Sequence, residues 1–411
     1  MIDFERATLS NGLEVIVHTD MKSQMCAVNV LYKVGARDED PEKTGFAHLF
    51  EHLMFGGSDH APDFDGPLQM AGGDNNAFTN SDITNFYDIL PADNLETALW
   101  LEADRMAHLT ISSDHLEIQR KVVLEEFSET CLNPPFGKVW HHICEMAYEK
   151  HPYRWPVIGR TPEHIERASL DDVRDFFTKW YGPNNAIITI SGGVPADKAI
   201  AMVEKYFGGI EKRTFERKLY PQDGHQLHKK THHDHGQAPI DSLYMAWRGS
   251  DRLSEDYYTM DLLSDVLSGG RSARFFERLV LDKQLFASID AYISGTADPG
   301  LFIVEGKPNE GVSLEMAEAA INAELQQIIQ EGIHSSELEL QINKAESQMK
   351  FSEVNNLHKA MSLAYHEALG DAAMLRTEMD RYRAVTPEKI QSLAQNMLTE
   401  ERCCALYYHK S

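Results

Sequence analysis

Cysteine is scarce in this sequence, and long apolar stretches are missing from it. Five cysteines occur among 411 residues, an odd number without the spacing of a metal site or a disulfide framework. We therefore expect reduced, packed thiols and a cytoplasmic protein, or a periplasmic one if a signal peptide was removed. No apolar run approaches the roughly 18 residues that a membrane-spanning helix needs, so we expect no membrane partner.

Basic residues are few compared with acidic ones. The chain has 39 Lys and Arg against 64 Asp and Glu, which gives a formal net charge of −25. A nucleic-acid backbone would be repelled by this charge, so we exclude nucleic acid as a partner. The length exceeds what one core supports and predicts two domains of about 200 residues each.

The string His48-Leu49-Phe50-Glu51-His52 carries the most chemical information in the chain. On a helix, positions i and i+4 share a face, so both histidines can bind one Zn²⁺ and leave a position open for water. Glu51 is near enough to act on that water, and the order H-x-x-E-H is the inverzincin signature. Thr44 is the expected N-cap of this helix, and Gly56-Gly57 is its expected end. The alternative is an amphipathic helix whose histidines are merely solvated.

A catalytic zinc site needs a third protein ligand, and three carboxylates in the C-terminal half of the helical segment 116–129 compete for this role. Glu126 and Glu129 lie at i, i+3 on one helix face, whereas Glu125 points about a third of a turn away from Glu126. The residues alone leave these three candidates open.

Six strings of the chain form a pattern: His48 to His52, Asn76-Ala77-Phe78-Thr79, Val122 to Glu126, His151-Pro152-Tyr153, Trp155 to Gly159 and Tyr181 to Ala186. With them the chain resembles the pitrilysin/insulinase family of zinc peptidases, which includes the mitochondrial processing peptidase. The resemblance implies a zinc ion held by His48, His52 and Glu126, with Glu51 as the general base. By spacing alone Glu129 is nearly as good a ligand as Glu126 and stays the runner-up. It also implies that Asn76, Ala77, Phe78 and Thr79 form an edge strand to which the peptide substrate adds through backbone hydrogen bonds.

Two departures from the family pattern affect the expected activity. Gln119 stands where the family commonly has a further Glu, seven residues before the ligand. Val280 and Ala287 stand where family members often place an Arg and a Tyr that grip the substrate backbone. We therefore expect a heterodimer with a homologous subunit that carries the Arg/Tyr pair, with a homodimer as the alternative. The expected function is a zinc metalloendopeptidase that hydrolyses oligopeptides or unfolded segments inside a closed chamber; the alternative is a non-catalytic or structural subunit.

The expected fold class is α+β, with two homologous domains that each pack helices on a mostly antiparallel sheet. By resemblance, the two form half of a clamshell. A hairpin is predicted around Asn11-Gly12. Two capped helices, beginning after Ser169 and Thr386, are each followed by a strand and lie 217 residues apart, which indicates a duplication.

The predicted domains are 1–215 and 237–411. Residues 216–236 form the predicted linker, which contains five histidines: His225, His228, His232, His233 and His235. We prefer a solvated linker to a second metal site there.

Overall fold

A computed structural model describes residues 2–217 and 219–411. Within these residues the strands are β1 (Glu5–Thr8), β2 (Glu14–Thr19), β3 (Met25–Tyr32), β4 (Asp74–Thr79), β5 (Thr84–Pro91), β6 (Ala186–Gly192), β7 (Lys230–Gly236), β8 (Ser242–Arg248), β9 (Phe286–Ile293), β10 (Leu301–Pro308) and β11 (Cys404–Lys410). The α-helices are α1 (Phe46–Leu53), α2 (Asp65–Met70), α3 (Leu95–His108), α4 (Ser113–Phe127), α5 (Val139–Ala147), α6 (Pro162–Glu166), α7 (Leu170–Trp180), α8 (Ala196–Phe207), α9 (Glu255–Ser268), α10 (Leu314–Glu331), α11 (Ser335–Ser352), α12 (Asn356–Ala368), α13 (Glu378–Arg383) and α14 (Pro387–Met397). Ser128–Leu132 and Phe275–Asp282 are π-helical.

The chain forms two compact units that alternate along the sequence. The first contains residues up to Phe127, from Trp155 to Tyr220 and from Met349 to Arg376. The second contains the segments Ser128–Arg154, Pro221–Gln348 and Thr377–Ser411. The predicted domain limits at residues 215 and 237 stay a prediction.

The first unit is built on a six-stranded sheet with the order β1-β2-β6-β3-β5-β4. All neighbouring strands are antiparallel except β2 and β6. Because side chains alternate across a strand, β2 sends Val15 and Val17 to one face and Ile16 to the other. The valine face packs against α1, α3, α7 and α8, and the isoleucine face packs against α12. Both faces are therefore covered, which explains why β6 is buried along its whole length.

The second unit is built on a five-stranded sheet with the order β7-β11-β8-β10-β9. All neighbouring strands are antiparallel except β7 and β11. In β8, Met245 and Trp247 face a core that includes α9, α10 and α14, whereas Tyr244 and Ala246 face α5. This sheet is also covered on both faces.

The two sheets share one topology. The order β2-β6-β3-β5-β4 becomes β7-β11-β8-β10-β9 when the strands are matched in chain order. The predicted caps of the matching helices α7 and α14 are confirmed, because the hydroxyls of Ser169 and Thr386 accept hydrogen bonds from the backbone N–H groups of Asp172 and Lys389. The α+β class and the duplication of a mostly antiparallel sheet are confirmed.

Two expectations about local structure can be compared with the fold. The hairpin at Asn11-Gly12 forms as expected, but residues 230–236 of the predicted linker form strand β7, which contains His232, His233 and His235. This strand pairs in parallel with β11, more than 160 residues later in the chain. Its polar sequence lacks the alternation of a half-buried strand, so the pairing partner determines its conformation. No helix in the described residues is both long and apolar enough to cross a membrane.

Candidate metal centre

His48 and His52 project from one face of α1, as their spacing predicts. Their imidazole rings lie 4.8 Å apart between centroids, and the two Nε2 atoms are 3.3 Å apart. Glu126 Oε2, from α4, lies 3.5 Å from Nε2 of His48 and 3.3 Å from Nε2 of His52. One ligand atom from each of the three residues thus lies within 4.8 Å of the others. Two imidazoles and one carboxylate are a donor set that suits catalytic zinc.

The N-terminus of α1 is capped differently from the prediction. Gly45 is the N-cap residue with φ of +87°, a left-handed conformation that glycine adopts without strain. Thr44, the predicted cap, instead uses its hydroxyl to accept a hydrogen bond of 2.8 Å from the N–H of Arg160. The side chain that caps the helix comes from Glu39, whose carboxylate accepts from the N–H groups of Gly45 at 2.9 Å and Ala47 at 2.8 Å.

Glu39 is a buried residue that the sequence motifs did not reveal. Its carboxylate also accepts a hydrogen bond of 3.1 Å from Nε1 of Trp155, which belongs to one of the matching family strings. Burial raises the pKa of Glu39 to about 8, while its hydrogen bonds to Ala47, Gly45 and Trp155 act in the opposite direction. The sequence signal for this cap is an acidic residue close to the N-terminus of a helix, where the helix dipole is positive. A loop separates Glu39 from α1 in the sequence, so the sequence does not show that Glu39 is close to the N-terminus of this helix.

Aromatic packing fixes the other face of α1. Phe50, which lies between the two histidines in the sequence, is fully buried. Its ring stacks on Phe176 and Tyr181 at centroid distances of 5.1 Å each, and on Phe177 at 6.4 Å. The face opposite the histidines is therefore held against α7 and the residue that follows it.

Of the three candidate carboxylates, Glu126 is the one grouped with the histidines. Glu125 is exposed on α4, and Glu129 is exposed in the π-helical segment that follows this helix. Val123 and Phe127 anchor α4 in the core, and this anchoring sets the rotation that turns Glu126 toward α1. The roles of these residues as ligands stay a prediction.

The electrostatics of the group favour the protonation states that a metal requires. Burial lowers the pKa of His48 to about 4, although the Glu126 carboxylate opposes this effect. A hydrogen bond with His52 lowers the pKa of Glu126, against the smaller effect of burial. At neutral pH the group therefore offers a neutral His48 and an ionised Glu126, which are the forms that bind divalent metal.

Glu51 belongs to α1, and its carboxyl lies next to Thr79 of the edge strand β4. Burial raises the pKa of its carboxyl, and the neighbouring Thr79, the last residue of β4, partly offsets this effect. Strand β4 ends the first sheet, as expected for Asn76 to Thr79, and pairs with β5 alone among the described residues. The side chain of Asn76 accepts a hydrogen bond of 2.8 Å from the N–H of Ala77.

The positions that depart from the family pattern are ordered parts of the fold. Gln119 is half-buried on α4, two turns before Glu126 on the same face. Val280 is partly buried against the core of the second unit, and Ala287 is exposed on β9. Neither of the last two side chains can donate a hydrogen bond to a substrate.

Comparisons with known proteins agree with this fold. Residues 14–161 match the model of the insulinase family (peptidase family M16), and residues 167–345 match the model of the peptidase M16 inactive domain. The zinc protease PqqE of Helicobacter pylori is 30% identical over 375 residues, which cover 88% of this chain and 81% of that protein.

Solved structures share the architecture over nearly the full length of this chain. The crystal structure of a protease from Helicobacter pylori has a TM-score of 0.93 and 25% identity, covering 99% of this chain and 100% of that chain. The crystal structure of the periplasmic protease PqqL from Escherichia coli has a TM-score of 0.81 and 16% identity, covering 100% of this chain but only 48% of that chain. The fold and the two matched models define a peptidase-type protein with two related halves. The chain belongs to the insulinase family, peptidase family M16, and is of its short two-domain type.

Proposed function

We propose that this chain is a zinc-dependent endopeptidase whose metal is held by His48, His52 and Glu126, with Glu51 as the general base. The observation that carries the proposal is the convergence of two imidazoles and one carboxylate within 4.8 Å. Glu51 lies on the same helix as the two histidines and beside the edge strand. The relatives named as zinc proteases support the same chemistry.

The proposed mechanism assigns one task to each side chain. Zinc in such a site acts as a Lewis acid and makes water a nucleophile at neutral pH. His48 and His52 supply neutral nitrogen ligands, and Glu126 supplies one negative charge. Glu51 accepts the proton of the attacking water on its carboxylate and returns it to the nitrogen of the leaving amine. Burial raises the pKa of Glu51, so this pKa lies closer to neutral pH than that of an exposed glutamate. The protonated carboxyl is therefore a better proton donor when the amine leaves.

The proposed substrates are oligopeptides or unfolded segments in extended conformation. Strand β4 has a free edge in the described sheet, and Thr79 at its end is next to Glu51. A peptide that pairs with residues 76–79 of β4 would bring its backbone next to Glu51 and the proposed zinc ligands. Backbone pairing gives affinity without requiring a particular sequence, so we expect broad specificity.

The proposed active assembly is a closed chamber formed with a homologous subunit that supplies an Arg and a Tyr. Val280 and Ala287 offer no such groups. The longer PqqL chain, of which this chain matches 48%, supports an arrangement of two related halves. A homodimer is the alternative assembly. All five cysteines are free thiols, which favours the cytoplasm as the compartment, with the periplasm as the alternative.

A set of matched variants tests the proposal by zinc content and by hydrolysis of an unfolded-peptide pool in the presence of the partner. Glu51→Gln should retain the zinc held by His48, His52 and Glu126 and lose about 10²–10⁴-fold in turnover, since it keeps the shape but removes the base. Glu126→Gln should lose the zinc of this centre together with the activity. The control Glu125→Gln, exposed on the same helix, should change neither. A wild type without zinc at His48, His52 and Glu126, or a Glu51→Gln chain with normal turnover, would instead indicate the structural-subunit alternative.

A further inference from the structure

A second group of metal-binding side chains lies in the first unit, outside the proposed catalytic centre. It consists of His60, Asp104 and His108, and one ligand atom from each lies within 4.8 Å of the others. Asp104 and His108 occupy positions i and i+4 on α3, so they share a helix face in the same way as His48 and His52. His60 comes from the loop that follows α1.

The carboxylate of Asp104 is held in a fixed orientation. Its Oδ2 atom accepts hydrogen bonds from the hydroxyl of Ser58 and from the backbone N–H of His60, the latter at 3.1 Å. Its Oδ1 atom lies 2.7 Å from Nδ1 of His60. The side chain of Asp104 is buried, with 6% of its surface exposed, whereas that of His60 is 64% exposed. A metal ligand whose second oxygen is hydrogen-bonded in this way is pre-oriented for coordination.

The two imidazoles are placed around this carboxylate. The rings of His60 and His108 are 5.0 Å apart between centroids and nearly perpendicular, at 84°. Both histidines are exposed, so an ion can reach them from solution. Asp104 and His108 also line an open cavity of about 460 Å³, together with Trp100 and Tyr206.

We propose that His60, Asp104 and His108 form a second binding site for a divalent transition-metal ion, with zinc as the expected occupant. Two imidazoles and one carboxylate suit zinc, and a tetrahedral ion would keep its fourth position for water. The ion would replace the hydrogen bond between His60 Nδ1 and Asp104 Oδ1. This site is independent of the proposed peptidase activity, since it shares no residue with the catalytic centre.

The ion would strengthen an existing connection between two parts of the fold. The loop after α1 already bonds to the end of α3 through the N–H of Asp59 and the carbonyl of His108 at 3.0 Å. A second bond joins the N–H of Thr110 to the carbonyl of Gly57 at 3.2 Å. A metal that joins His60 to α3 would add a cross-link to the segment that leaves the helix of His48 and His52. We therefore infer a stabilising role for the ion rather than a catalytic one.

Zinc binding by the full-length chain, measured by competition with a chromophoric chelator, tests the proposal. The wild type should bind two zinc ions, the double variant His60→Ala/His108→Ala one, and the double variant His48→Ala/His52→Ala also one. Loss of either His60 or His108 alone should weaken the second site by at least about tenfold, because even outer-shell changes cost about 10–100-fold in metal affinity. The control His358→Ala removes an exposed histidine of α12 and should leave both sites intact.

The result that overturns the proposal is a wild type that binds one zinc, or a His60→Ala/His108→Ala chain that still binds two. A second measurement covers the case in which a variant fails to fold. Anomalous diffraction from wild-type crystals grown with zinc should show a peak between His60, Asp104 and His108. The absence of a peak there, with one present at His48, would refute the second site and leave the proposed function untouched.

Discussion

Glu39 caps α1, and the hydrogen bonds of this cap allow us to predict how much stability the protein loses without it. Glu39→Ala removes the acceptor of the N–H groups of Gly45 and Ala47, which are both buried. Trp155 keeps a partner, because its Nε1 also donates to the carbonyl of Ala36 at 3.0 Å. Two orphaned donors at about 1–3 kcal/mol each predict a loss of about 2–6 kcal/mol in the free energy of unfolding.

The conservative variant Glu39→Gln should cost less, about 1–3 kcal/mol, because its single amide oxygen retains part of the cap. His48 is in the first turn of α1, so we expect both variants to weaken zinc binding as well. The assay is urea denaturation at pH 6, followed by two spectroscopic probes because the two units need not unfold together. Chelator competition gives the zinc affinity. Glu42→Gln, an exposed residue of the same loop, is the matched control.

The pH dependence of this difference provides a sharper test. The pKa of a glutamate in an unfolded chain is about 4.3, and burial raises the pKa of Glu39 in the folded protein to about 8. The folded chain therefore binds this proton more tightly than the unfolded chain, and stability falls as pH rises between these two values. The stability advantage of the wild type over Glu39→Gln should be largest below about pH 4.3 and shrink as the pH rises toward 8. An advantage that stays constant or grows with pH would refute this reasoning and show that the helix donors outweigh burial.

Three further predictions concern the centre and its partner. Gln119→Glu should fold normally and change turnover by less than about tenfold, because the proposed base and ligands are already present; complete loss of activity would show that the neutral amide is required. Phe50→Ala should lower the free energy of unfolding by about 3–5 kcal/mol and reduce zinc content, since three aromatic rings pack on Phe50. Phe351→Ala, at a side chain that is 78% exposed, is its control, and equal effects of both would contradict the stacking argument. The isolated, zinc-loaded chain should hydrolyse peptides about a hundredfold more slowly than the chain with its partner, because misplacement of a substrate by about 1 Å lowers the rate by about that factor. Rapid hydrolysis that no partner improves would exclude the heterodimer.

Local patterns in the sequence predicted a large part of the fold. The hairpin at Asn11-Gly12, the helix of His48 and His52 and the caps at Ser169 and Thr386 all depend on residues within a few positions of each other. Turn chemistry, capping and helical periodicity act over that range. They can therefore be predicted from one segment of the sequence, without knowing which other segment packs against it. The cap predicted at Thr44 is wrong because its hydroxyl accepts a hydrogen bond from the N–H of Arg160, far along the chain.

The sequence by itself thus determined that two histidines share a helix face and that two similar sheets follow each other along the chain. Only the tertiary structure decided which carboxylate meets those histidines, because the choice between Glu126 and Glu129 depends on how α4 is rotated against α1 by its buried residues. It also decided that α12 covers the first sheet and α5 the second, and that His60 meets Asp104 across 44 positions. Each of these outcomes depends on contacts between segments far apart in the chain, and such contacts form only when the cores pack.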